Sequence, residues 1–86
     1  MRVSVTPQFR RQFKKLEKAL QEEALEKIEL FKNTKHHAQL KVHKLKGVLK
    51  GRYSFSVNYK YRIVFMYASK QEAILLAIGD HDVYEQ

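Results

Sequence analysis

The chain has 86 residues, enough for one domain with a modest core and too few for two, so residues 1–86 are expected to fold as a unit. Hydrophobic residues make up 44% and aromatics 12%, too rich for a disordered segment, and the formal net charge is +8. Cysteine is absent, which excludes disulfide frameworks and zinc–thiolate sites; with no signal-like apolar run at the start and no stretch of about 20 apolar residues, a soluble, cytoplasmic protein without a membrane partner is expected.

In chain order, Val3 and Val5 alternate with Arg2 and Ser4, the pattern of a short strand. Thr6-Pro7 supplies a helix N-cap followed by proline at the first helical position. Phe9, Phe13, Leu16, Leu20, Ala24, Ile28 and Phe31 then recur at steps of three and four, which only a helical period fits. One helix from Pro7 to Lys32 would be about 40 Å long, far beyond a domain whose radius of gyration should be about 12 Å. A break near Glu17 to Gln21 is therefore expected, with two packed helices. Asn33 to His37 reads as a loop with Asn33 as a helix C-cap.

The second half has period two. Tyr53, Phe55 and Val57 alternate with Ser54, Ser56 and Asn58, and after a short connection Ile63, Phe65 and Tyr67 alternate with Arg62, Val64 and Met66. Ala73 to Ile78 is almost wholly apolar, as in a central strand covered on both faces. The expected architecture is α+β: an N-terminal strand, two helices and an antiparallel three-stranded meander, with the helices on one face of a four-stranded sheet. If Ile63, Phe65 and Tyr67 meet the helices, parity sends Arg52, Ser54, Ser56 and Arg62 to the open face, where they would form a phosphate-binding floor.

The charge is unevenly spread. From Leu30 to Gln71 there is no acidic residue and there are ten basic ones: Lys32, Lys35, Lys41, Lys44, Lys46, Lys50, Arg52, Lys60, Arg62 and Lys70. A merely solubilising surface would intersperse both signs, so a polyanionic partner is expected.

Three clusters carry candidate chemistry: VHKLKG at Val42 to Gly47, YKYRIVF at Tyr59 to Phe65, and IGDHDVY at Ile78 to Tyr84. In this order, on a basic chain of this length, they resemble the RelE/ParE superfamily of bacterial toxin–antitoxin toxins, and most closely the ribonuclease toxins of the YafQ and YoeB type. The resemblance implies a RelE-like fold, cleavage of messenger RNA on the ribosome without a metal or other cofactor, and a cognate antitoxin as partner. It places His43 where those toxins carry a histidine or glutamate, Arg62 where many carry a phosphate-binding arginine, and His81 with Tyr84 at their C-terminal histidine and aromatic residue. The pattern departs in two ways. Tyr84 stands three residues after His81 rather than beside it, and the second histidine and aspartate of the YafQ type have no counterpart in Ser56 to Tyr61.

The chemistry also has a footing of its own. Cutting RNA through its 2′-hydroxyl needs a base for that hydroxyl, an acid for the departing 5′-oxygen and a cation for the crowded phosphate. Imidazoles suit the first two jobs, with an ordinary pKa near 6.5, and a guanidinium suits the third. His43 and His81 are the acid–base candidates in either order, and Arg62 the charge stabiliser. Lys44, Lys46, Lys50, Arg52 and Lys60 would hold the RNA backbone, while Tyr84 or Tyr53 would stack on a base. Three plainer readings compete: a turn role for His81, pairing of Arg62 with Asp80 or Asp82, and a packing or sheet-rim role for Tyr59, Tyr61 and Tyr67. His36-His37 with Asp80, His81 and Asp82 make a poor metal set, because adjacent histidines seldom ligate together. A ParE-like gyrase inhibitor and a non-catalytic binding member are the alternatives to a ribonuclease.

Overall fold

A computed structural model describes residues 1–47, 51–80 and 83 of the chain. Strand β1, Arg2–Val5, leads into helix α1, Pro7–Lys14. Thr6 caps α1 by accepting the Phe9 N–H on Oγ1 at 3.1 Å, and Pro7 opens the helix where its missing N–H costs nothing. Helix α2, Lys18–Phe31, follows. The break falls at residues 15–17, overlapping the start of the segment expected, and needs neither glycine nor proline. Gln21 on α2 reaches back and donates to the carbonyls of Phe13 (3.0 Å) and Lys14 (3.4 Å), so a side chain satisfies the end of α1. The domain has a radius of gyration of 11.8 Å, the dimension that required the break.

Asn33 does not cap α2, whose C-cap is Lys32; it caps the 3-10 turn Thr34–His36 instead, its Oδ1 accepting the Lys35 N–H. Four more strands follow: β2, His43–Lys44; β3, Tyr53–Ser56; β4, Arg62–Ser69; and β5, Glu72–Gly79. The sheet order is β1-β5-β4-β3-β2, with β1 parallel to β5 and the other pairs antiparallel. The sheet thus has five strands rather than the expected four. The extra one is the two-residue β2, too short to announce itself by alternation, and it places His43 on the sheet edge.

The helices cover one face. Phe9 of α1 and Ala24, Ile28 and Phe31 of α2 pack on Phe55, Ile63, Phe65, Ala73, Leu75 and Ile78. Phe31 is the hub: its ring stacks on Phe55 at 4.4 Å and on the His37 imidazole at 4.8 Å, and meets Phe65 edge-on at 4.7 Å. His37 is fixed further by donating Nε2–H to the Phe31 carbonyl at 2.8 Å. Strand β5 is the central apolar strand that its composition implied, lying between β1 and β4. Among the described residues no helix is long and apolar enough to cross a membrane.

Candidate nucleic-acid interface

Residues directly opposite each other in paired strands project to the same side. On the face away from the helices, the register forms a row of His43, Ser54, Val64 and Ala77, crossing β2, β3, β4 and β5. A second row holds Ser56, Arg62 and Gly79. Toward the other end, the Leu45 N–H donates to the Arg52 carbonyl at 2.8 Å, which continues the register and puts Leu45 and Arg52 on this face as well. The parity argument therefore holds for Arg52, Ser54, Ser56 and Arg62.

The face is not an open floor, however. Val64, Ala77 and Val83 form a second small core, with Leu45 and Leu76 packed against it. Ser54 is completely buried and offers no hydroxyl to a ligand. The small core is tertiary in origin: Leu45 from the segment after β2 and Val83 pack on the sheet residues, and local alternation carries no trace of them.

The small core separates the two arginines. Arg62 lies at one end, in a 260 Å³ pocket that also involves Lys41, Ser56, Asn58 and Tyr59. Its Nη1 donates to the carbonyls of Asn58 and, at 3.1 Å, Tyr61. Asn58 in turn accepts the N–H groups of Lys60 and Tyr61 and donates to Glu23 of α2 at 2.8 Å, so the guanidinium is held by a loop tied to the helix layer. Arg52 lies at the other end, in a 450 Å³ groove with Thr6, Pro7, Gln8, Arg11, Val64, Leu76, Ala77 and Val83. Strand spacing and rise place the His43 Cα about 8 Å from that of Arg52 and about 12 Å from that of Arg62.

His43 is exposed, and its Nδ1 lies 2.8 Å from the Lys41 carbonyl. A carbonyl can only accept, so Nδ1 carries the proton and the neutral ring keeps its lone pair on Nε2. Lys41 has φ +58, the left-handed conformation that L-residues avoid.

Two candidates fall on the wrong side. Lys44 is opposite Tyr53 in register, one residue out of phase with His43, and so belongs to the helix-side face. Tyr53 packs against the main core, with its ring 5.5 Å from Phe65 and 5.0 Å from Tyr67, and is a packing residue rather than a platform for a base. Burial, then the adjacent Tyr53, raises the Tyr67 phenol above its ordinary pKa of 10.0. Lys46 is exposed beyond β2, and Lys60 is exposed near Arg62 with its Nζ 5.7 Å from the centroid of the Tyr61 ring. His81, Tyr84 and Lys50 lie outside the described residues. Sequence reasoning overlooked Arg11. Its signal was present: residues 1–16 hold five basic side chains and no acid, but averaging them with the glutamates of α2 hid them.

Comparison with known proteins follows this geometry. A family model described as the ParE-like toxin domain matches residues 18–86. Among curated proteins, none matches the chain in sequence. Among solved structures, the YoeB/ParE toxin from Agrobacterium tumefaciens is similar with a TM-score of 0.75 at 20% identity, covering 94% of this chain and 99% of that one. The YoeB-YefM complex from Staphylococcus aureus gives 0.73 at 20%, covering 94% and 97%. YafQ from E. coli strain BL21(DE3) gives 0.71 at 14%, covering all of both chains. With the family model spanning most of the chain, this protein belongs to the ParE-like toxin domain family.

Proposed function

We propose that this chain is the toxin of a toxin–antitoxin pair and an endoribonuclease that cuts messenger RNA, on the ribosome and in the cytoplasm, to stop translation. One observation carries the reading: His43 stands exposed on a basic sheet face with its Nδ1 proton committed to the Lys41 carbonyl and its Nε2 lone pair turned to other use. That is the form a general base requires. Nε2 takes the proton of the ribose 2′-hydroxyl, the 2′-oxygen attacks the adjacent phosphorus, and the bond to the 5′-oxygen breaks. The products are a 2′,3′-cyclic phosphate and a 5′-hydroxyl. The departing oxygen needs a proton from a second group, and His81 is the candidate, with Tyr84 beside the same chain end. The guanidinium of Arg62, held in one pose by its two loop carbonyls, neutralises the phosphate as charge accumulates. Arg52, Lys46, Lys50 and Lys60 hold the backbone on either side.

The proposed partner is a cognate antitoxin. Structures of similar fold include the toxin-antitoxin complex RelBE2 from Mycobacterium tuberculosis and the YoeB-YefM complex. An antitoxin for this chain would present carboxylates where RNA presents phosphates and so occupy the site.

The test is cleavage by the purified protein, with ribosomes and without, in the presence of EDTA. His43→Ala should lower the rate about 10²- to 10⁴-fold while leaving the fold intact. Full activity in that variant would refute the assignment of the base. Growth arrest with broken DNA and intact message would refute the ribonuclease reading in favour of a gyrase poison.

A further inference from the structure

Strand β1 has four residues and β5 has eight, so β5 outruns its neighbour. Helix α1 takes the vacated edge. The Thr6 hydroxyl donates to the Leu76 carbonyl at 3.1 Å, and Gln12 Oε1 accepts the Ile78 N–H at 2.9 Å. Placed there, α1 borders both faces of the sheet. Phe9 is buried in the main core, whereas Pro7, Gln8 and Arg11 reach the opposite face and wall the 450 Å³ groove described above. Its floor is Val64, Leu76, Ala77 and Val83, and Arg52 stands across from α1. Among the described residues, none that lines it is acidic and no carboxylate forms a salt bridge with Arg11 or Arg52.

Two guanidiniums over an apolar floor suit a phosphate whose attached nucleoside lies against the floor. The groove lies on the same side of the sheet as His43, since Val64 and Ala77 belong to the row that ends there. That row runs about 14 Å, three strand spacings, from β5 to β2. Resting on the ribonuclease reading, we propose that Arg11 and Arg52 bind a phosphate of single-stranded RNA flanking the one that is cut, so that α1 is part of the substrate track.

The experiment measures binding of a short fluorescein-labelled single-stranded RNA by anisotropy over a range of salt. Arg11→Ala should weaken binding about tenfold, the worth of one charge-assisted contact, and reduce the salt slope by about 0.7. Arg11→Lys should restore part of both. Arg10→Ala removes the same charge from the same helix, but Arg10 borders the groove between the helices and β1, so binding should not change. Equal losses in the Arg10 and Arg11 variants, or no loss in either, would overturn the proposal. So would an Arg11→Ala effect confined to an acidic protein partner. If the wild-type chain bound RNA with this pattern yet failed to cut it, the subsite would stand and the catalytic reading would fall.

Discussion

At the scale of single residues, Lys41 is the most informative position. It is the one non-glycine residue with positive φ among those described, and its carbonyl selects the His43 tautomer. A left-handed L-residue costs about 1–2 kcal/mol. Lys41→Gly should therefore keep or raise stability, and Lys41→Val should lower it by about 1–2 kcal/mol, as read from urea midpoints. A lysine at such a backbone position cannot be foreseen from its neighbours, because the conformation is imposed by the turn that carries the chain from Leu40 into β2. Tyr67 makes a second prediction. Its phenol titrates above the unfolded value of 10.0, so the folded state holds that proton more tightly. Its stabilising contribution is full below the unfolded pKa and is lost as pH rises through the folded one. Tyr67→Phe should flatten the alkaline decline in denaturation midpoint, the decline being confined to the region above about pH 10.

At the scale of elements, side chains complete what backbone pairing leaves unfinished. Gln12 takes the place of a strand beside Ile78, and Gln21 takes the place of a terminating glycine after α1. Gln12→Ala strands a partly buried N–H and should cost about 1–3 kcal/mol, measured by thermal or chemical unfolding. These contacts also show what the sequence could reveal. Thr6-Pro7, the helical period to Phe31 and the alternation of β3 and β4 were legible because each is a local pattern with one period. The helix break followed from the length one helix would have had, and it falls at residues 15–17, overlapping the expected segment at Glu17. Ser54 was taken for an exposed hydroxyl because alternation tells which side a residue faces and not what covers that side. Lys44 was named as a backbone contact with no face assigned, because β2 was not recognised as a strand; its register opposite Tyr53 sends Lys44 to the helix side.

At the scale of the molecule, charge is sorted by element. Five of the nine acidic residues, Glu17, Glu22, Glu23, Glu26 and Glu29, lie on α2 and its N-cap. All the basic residues but Lys18 and Lys27 fall into two acid-free runs, residues 1–16 and 30–71. Helix α1 brings Arg11 of the first run to the groove that holds Arg52 of the second. The basic surface is thus a product of tertiary structure, and the extended grip inferred from Leu30 to Gln71 is only part of it.

Strand β1 has a consequence for biosynthesis. Its partners are Glu72, Ala73, Ile74 and Leu75, and Thr6 meets Leu76 at a sequence separation of 70 residues. Closing so long a loop is slow and yields nothing until the far end exists. During synthesis, which proceeds from the N-terminus at about 5–20 residues per second, the sheet therefore cannot be completed until β5 has been made. The first strand to be made is thus among the last to find its partner.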